Sequence, residues 1–308
     1  MKIAYLIAAH TDPTHLSRLI NALFVEGSTD FYVHLDKKVN MNDYRRKTLF
    51  FTNNVTWVNE RIDARWGGYS QCRYQKSLIK SCVESNVKYD RVFFLSGLDY
   101  PLLSNKDIFD VLANNTDKEF IAGKNITLTE EVRQHKKIRQ YHFFRDLPIK
   151  NPTLFRCVKG IAQLLMKYLP IRRTGYIVTR GKRCDIYYGS SWWCLSGACL
   201  AYVYNELFGN PDWENYFRFA YTPDELMIQT IVFNSKFKSK ALLFPDSTRG
   251  LVNLTPLHYI EYHKSIKVFE VKDFEKLMSS GKMFARKLVT GKSDALMDKI
   301  DKLRTDKI

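Results

Sequence analysis

Ile3-Ala4-Tyr5-Leu6-Ile7-Ala8-Ala9, followed at once by His10-Thr11-Asp12-Pro13, sets the reading of this chain. A continuous apolar run this short marks a strand buried on both faces, and the polar tetrapeptide marks its exit loop. Leu16, Leu19, Ile20, Leu23 and Phe24 then recur at helical spacing. Phe31-Tyr32-Val33-His34-Leu35 is a second strand, ending at Asp36-Lys37-Lys38. Val55 to Val58 is a third. Arg91 to Ser96 is a fourth, stopping at Gly97-Leu98-Asp99-Tyr100-Pro101. Helices are predicted from Ser70 to about Glu84 and from Asn105 to Leu112. This strand–helix alternation predicts an α/β fold, Rossmann-like, with a mostly parallel central sheet. Ligands of such sheets bind outside the carboxyl ends of the strands. Asp36 and Asp99 stand at such ends, where an aspartate also commonly caps a turn.

The bulk numbers narrow the class without choosing a ligand. The chain has 308 residues, ordinary for one large α/β domain. Lys plus Arg is 48 against 32 Asp plus Glu, a net charge of +16. That balance suits nucleotide phosphates, other polyanions or an anionic membrane surface. None of the six cysteines forms a C-x-x-C pair, and no histidine spacing completes a zinc site. Cys194 and Cys199 sit in an apolar run and are expected as buried thiols in a reducing compartment. The first apolar run is too short for a signal peptide, and no run of about 18 apolar residues predicts a membrane span.

The segment from about Thr127 to Arg180 differs in character. It carries Arg133, Lys136, Lys137, Arg139, Arg145, Lys150, Arg156, Lys159, Arg172, Arg173 and Arg180. Ile161, Leu164, Leu165, Tyr168 and Leu169 interleave with these at helical spacing. A basic amphipathic helix of this kind can lie on a membrane; more often it packs on its own domain, and that is the expectation here. With no repeat or linker, residues 1–290 are predicted to form one catalytic domain with a basic insertion at about 127–180. Residues 291–308 are predicted as a helical tail presenting Leu296, Ile300 and Leu303.

Tyr221-Thr222-Pro223-Asp224-Glu225-Leu226-Met227-Ile228 reads as a turn opening a buried helix. Thr222 is the expected N-cap, and Thr222-x-x-Glu225 a capping box with Pro223 in the first turn. Glu225 is thereby either a cap alone or a carboxylate held rigidly for chemistry. No G-x-x-x-x-G-K-[ST] or G-x-G-x-x-G phosphate loop occurs, and no G-x-S-x-G elbow. No Asp-x-Asp exists to hold a divalent metal, so a departing diphosphate would need protein cations. Arg286-Lys287, after a compact turn, offers a fork and a point charge for that task, or else a solvated basic pair.

Six stretches, in order, resemble one family. They are His34-Leu35-Asp36-Lys37-Lys38, Trp66-Gly67-Gly68-Tyr69-Ser70 and Ser96-Gly97-Leu98-Asp99-Tyr100-Pro101, then Gly189-Ser190-Ser191-Trp192-Trp193, Pro223-Asp224-Glu225 and Phe284-Ala285-Arg286-Lys287. The family is the core-2/I-branching β-1,6-N-acetylglucosaminyltransferases and peptide O-xylosyltransferases, glycosyltransferase family 14. The resemblance implies a GT-A fold and inverting, metal-independent transfer from a UDP-sugar to a glycan hydroxyl, with no cofactor. It implies that Asp36 and Lys38 contact uridine with Ala8 near the base, and that Arg65 and Trp66 line the donor pocket. Ser190, Ser191 and Trp192 would meet donor sugar and diphosphate. Glu225 would be the catalytic base, Arg286 and Lys287 would hold the diphosphate, and Ser265 would lie near a phosphate.

Ser191 replaces an aspartate of the xylosyltransferases, which weakens a xylose donor, and His258 stands where many bacterial relatives carry arginine. The stem, membrane anchor and paired cysteines of the animal enzymes are not expected for this chain. These departures point to a bacterial, cytoplasmic enzyme of surface polysaccharide synthesis, peripheral on the inner face of the plasma membrane, with a glycan acceptor that is lipid-linked or anionic. Two other classes compete. Nucleic-acid binding is disfavoured because the basic residues are dispersed and no such motif occurs. A lectin that has lost catalysis is disfavoured by the retention of Glu225, Arg286 and Lys287.

Overall fold

The computed structural model describes residues 1–48, 53–128, 132–149, 151–168, 172–244 and 254–305. The amino-terminal half alternates strand and helix as expected: β1 (Ile3–Ala9), α1 (Pro13–Leu23), β2 (Thr29–Leu35), α2 (Met41–Lys47), β3 (Val55–Trp57), α3 (Ser70–Val83) and β4 (Arg91–Ser96). There follow β5 (Asp99–Pro101), α4 (Asn105–Ala113), β6 (Ala122–Asn125), α5 (Val132–Arg139), α6 (Pro152–Tyr168) and the hairpin of β7 (Tyr176–Thr179) and β8 (Lys182–Asp185). The remainder is β9 (Tyr187–Tyr188), β10 (Trp193–Ser196), α7 (Gly197–Gly209), α8 (Pro211–Phe217), α9 (Met227–Phe233), β11 (Leu242–Leu243), β12 (His258–Ile260), α10 (Phe274–Met278), β13 (Phe284–Arg286) and α11 (Asp294–Thr305).

The central sheet has the order β10-β4-β1-β2-β3. Its four amino-terminal strands are parallel, and β10 joins antiparallel beside β4. The unbroken apolar run of β1 is explained by its two covered faces. Ile3, Tyr5 and Ile7 pack with α1 and α4, whereas Ala4 and Leu6 belong to the core beneath α3, α7 and α9. Tyr5 stacks between Phe31 and Phe93, at centroid distances of 5.4 and 5.2 Å, tying the middle three strands together. Between β1 and β4 the chain direction of strand addition reverses, the place where such sheets open a ligand crevice.

Three expectations need correction. Asp99 does not end a strand; it begins β5 of a second sheet, ordered β12-β13-β5, where Arg286 sits opposite it. Phe284-Ala285-Arg286, which follows a turn as expected, is the strand β13 of that sheet. The tail helix α11 is docked, with Leu296, Met297 and Ile300 buried against Tyr100, Phe269 and Leu288, but Leu303 points to solvent. In the basic segment, α6 leaves Ile161, Leu164, Leu165 and Tyr168 exposed instead of packing them on the domain. Lys150 and Leu169 of that segment lie outside the described residues. Cys194 and Cys199 are buried free thiols, as expected.

Candidate active site

A cleft of about 360 Å³ opens at the carboxyl ends of β1, β2 and β4. Ala8, Asp36, Lys38, Arg65, Trp66, Trp192 and Arg286, seven residues singled out from the sequence, line it. Asp36 is buried and its carboxylate accepts from the Lys38 backbone N–H and ammonium, each at 2.8 Å. The same ammonium donates to Asp63 and to the Ala64 carbonyl. Asp63 also takes Arg65, at 2.7 Å. Four groups from two segments are locked together, so this part of the lining presents fixed, mixed charge.

The cleft lining includes a braced cation. Arg286 donates to Asp99 at 2.8 Å and lies over the Trp192 ring, 4.6 Å from its centroid. Trp192 in turn stacks on Phe94 of the central sheet at 5.4 Å. Asp99 is fully buried and also accepts from His258 Nε2 at 2.9 Å and the Ser96 N–H at 2.7 Å. Burial opposes its charge, but His258 and Arg286 prevail and hold the carboxyl below its ordinary value. His258 is thus a partner of Asp99 inside the wall, not a group facing the cleft.

Of two adjoining carboxylates, Asp224 lines the cleft and Glu225 does not. The capping expectation fails here. Thr222 has a left-handed backbone (φ 48°) and its hydroxyl caps nothing; Pro223–Glu225 form a single 3-10 turn, and α9 begins only at Met227. Thr222 instead accepts from Lys137 at 3.2 Å, and the same ammonium pairs with Glu225 at 3.0 Å. Lys137 comes from α5, in the basic segment, and packs on the Tyr188 ring 3.8 Å from its centroid. Asp224 is buried, accepts from Ser191 Oγ at 2.7 Å and from Gln71 at 3.3 Å, and its Oδ1 has no hydrogen-bond partner among the described residues. Burial, then the charge of Glu225, push its carboxyl up to about 7.

Two motif glycines have physical reasons. A Cβ on Gly189 would lie 2.0 Å from the Ala122 carbonyl oxygen, so only glycine lets this strand approach β6. Gly67 has φ +72°, the left-handed region, and its Cα faces the Tyr221 ring. Tyr221 also meets Trp66 edge-on at 5.9 Å, joining two of the motifs at the rim.

Ser190 and Ser191 stand behind the wall rather than on it: Ser190 Oγ accepts from the Trp192 N–H, and Ser191 reaches the cleft only through Asp224. Lys287 follows Arg286 at the end of β13, its carbonyl accepting from the Phe269 N–H. Ser265 is exposed in the loop closed by the Tyr262–Ile266 bridge and does not line the cleft. Sequence reasoning missed His10, Gln71 and Tyr74 in the lining and Lys137 on Glu225. His10 follows directly on β1, a strand-end position that could have flagged it. Burial and the neighbouring Arg286 move its ring pKa down. No local signal marks Lys137, which is 88 residues from Glu225.

The match to the sequence model of the Core-2/I-Branching enzymes covers residues 3–244, most of this chain. The chain belongs to that family. Rat xylosyltransferase 2 is 25% identical over 240 residues, spanning 76% of this chain and 25% of the relative. Mouse β-1,3-galactosyl-O-glycosyl-glycoprotein β-1,6-N-acetylglucosaminyltransferase 4 is 22% identical over 247 residues, 75% of this chain and 46% of the relative. The chain therefore spans about a quarter of the xylosyltransferases it matches and under half of the second relative. The crystal structure of S. aureus TarS 1-349 in complex with UDP-GlcNAc overlays 90% of this chain and 64% of that one, at 11% identity and a TM-score of 0.35. At that score the likeness carries no argument.

Proposed function

We propose that this chain is an inverting, metal-independent glycosyltransferase that moves a sugar from a UDP-sugar to a glycan hydroxyl. N-acetylglucosamine and xylose are the favoured donors. The observation that carries the reading is the set of groups gathered at one cleft: the Asp36–Lys38 lock, the Asp99-braced Arg286 over Trp192, and the carboxylate Asp224, with Glu225 next to it in the chain and held by Lys137 behind the lining. A nucleoside would sit at the first and its diphosphate against the second, leaving the sugar at the third. Inversion takes one in-line displacement, in which a carboxylate accepts the acceptor proton as oxygen attacks C1. Arg286 and Lys287 would oppose the charge growing on the departing diphosphate, a role preorganised by Asp99. Glu225, fixed by Lys137, is assigned as base. Bacterial polysaccharide synthesis, a lipid-linked acceptor and contact with an anionic membrane complete the reading.

One observation favours a second assignment of the base: Asp224, not Glu225, lines the cleft, and a carboxyl titrating near 7 suits proton transfer at neutral pH. Turnover of Glu225→Gln and Asp224→Asn, compared side by side, separates the two. For the class as a whole, the test is a thermal-shift panel in EDTA with UDP, UDP-N-acetylglucosamine, UDP-xylose, UDP-glucose, GDP and a short DNA duplex. A ligand bound only by the folded state raises apparent stability. Shifts with UDP compounds and not with GDP or DNA support the proposal. No shift with any UDP compound overturns it.

A further inference from the structure

The α6 helix presents an apolar stripe to solvent. Leu154, Ile161, Leu164, Leu165 and Tyr168 are 53, 60, 55, 58 and 75% exposed. At 3.6 residues per turn these five, with the exposed Cys157, fall within an arc of about 100°. Phe155, Val158 and Ala162, on the neighbouring flank, are half-buried, so the helix already has a side toward the protein and the stripe is its other side. Five large apolar side chains this exposed on one 17-residue helix are more than scattered surface residues account for.

Charge decides what covers the stripe. Between Asp146 and Asp185 the sequence holds nine lysines and arginines and no aspartate or glutamate. Two copies meeting through this face would oppose like charges, which disfavours self-association. A basic helix with an exposed apolar face fits the headgroup region of an anionic bilayer, its apolar side chains in the acyl boundary and its cations among the phosphates.

We propose that α6 is an interfacial anchor that seats this chain on the surface of an anionic lipid bilayer. The segment that carries it is fixed at its base. The Arg173 N–H donates to the Arg139 carbonyl at 3.0 Å, and the Arg173 guanidinium lies 4.1 Å from the Tyr216 centroid. Arg139 is two residues from Lys137, which holds Glu225. The anchor itself stands independently of the transfer reaction.

Cys157 is the one exposed thiol of six, which supplies a reporter on the stripe. The experiment labels it with an environment-sensitive dye. The labelled protein is titrated with phosphatidylcholine vesicles, with and without 30% phosphatidylglycerol, and co-sedimentation is measured in parallel. The expected result is a blue shift and co-sedimentation with the anionic vesicles only, weakened by salt. The triple variant Ile161→Gln, Leu164→Gln, Leu165→Gln, all at exposed positions, should lower partitioning by about 30-fold or more while its melting temperature and its UDP-induced thermal shift stay those of the parent. No binding to anionic vesicles, equal binding to neutral ones, or an unchanged triple variant overturns the proposal. So does a dimer in sedimentation velocity that the triple variant abolishes, which would give the stripe to a second copy. Loss of UDP binding in the parent would overturn the transferase reading and leave the anchor standing.

Discussion

Asp99→Asn should be among the most damaging single changes in this protein, for a reason that can be worked through. The carboxylate is fully buried, and one oxygen takes Arg286 at 2.8 Å. The other takes the Ser96 N–H at 2.7 Å and His258 at 2.9 Å. At 2.8 Å and an effective dielectric of 20 the gross Asp99–Arg286 attraction is about 6 kcal/mol. Much of that offsets the desolvation of both ions, so the pair is no measure of net stability. Removing one partner is different, because Arg286, only 12% exposed, would keep its charge with nothing to answer it. The asparagine NH2 would also face either the Arg286 or the Ser96 donor. The expected loss is about 3–5 kcal/mol in urea unfolding, with weaker UDP binding as Arg286 loosens. Asp99→Asn combined with Arg286→Met should be more stable than Asp99→Asn alone, because the stranded charge is gone. The pH dependence follows from the same contacts. A carboxyl held below its unfolded value of 3.8 contributes stability above that pH and loses it as pH falls through the folded value. The parent should therefore lose stability more steeply than the variant below about pH 4. A single variant within about 1 kcal/mol of the parent, or a double variant no better than the single, would refute the account.

Four other outcomes are expected. Glu225→Gln should lower turnover by about 100-fold or more while UDP still binds, measured by product formation and calorimetry; near-normal turnover removes Glu225 as base. Asp224 has the opposite linkage: with its carboxyl pushed from 3.8 to about 7, its contribution is complete below the unfolded value and lost as pH rises through that window. Asp224→Asn should thus gain on the parent above pH 7 and not at pH 4, in unfolding measured from pH 4 to 8. Gly189→Ala should cost about 3 kcal/mol or fail to accumulate as folded protein, judged by thermal melts, because its Cβ would meet a backbone carbonyl rather than a movable side chain. Sugar transfer should be unchanged in excess EDTA, and activity lost there and restored by manganese would end the metal-free reading.

The sheet and much of the site were legible in the chain because they are written locally. A strand covered on both faces must be continuously apolar, which made β1, β2 and β4 visible. Parallel strands need crossovers, so the strand–helix alternation made their parallel arrangement inferable, though not their order. Residues directly after such strands fall at the crevice by topology, and Asp36 followed from that. Ala8, Lys38, Arg65, Trp66, Trp192 and Arg286 were reached through the family resemblance. Local pattern misled where tertiary contacts outrank it. Thr222 sits in a sequence that reads as a capping box, yet Lys137 takes its hydroxyl and the backbone turns left-handed. The apolar residues of α6 repeat at helical spacing like any core helix. Spacing fixes which residues share a face, and only the surrounding packing decides whether that face is covered.

By itself, then, the sequence determined the alternating α/β layers, the strand ends that flank the cleft and the residue types available for chemistry. Tertiary structure alone decided how those residues pair. It set Asp99 against Arg286 across 187 residues and Lys137 against Glu225 across 88, and put Asp224 on the cleft wall in place of its neighbour. The physical reason is range. Propensity and hydrophobic period act over a few residues, whereas charge pairing and desolvation depend on distances in space that folding alone sets.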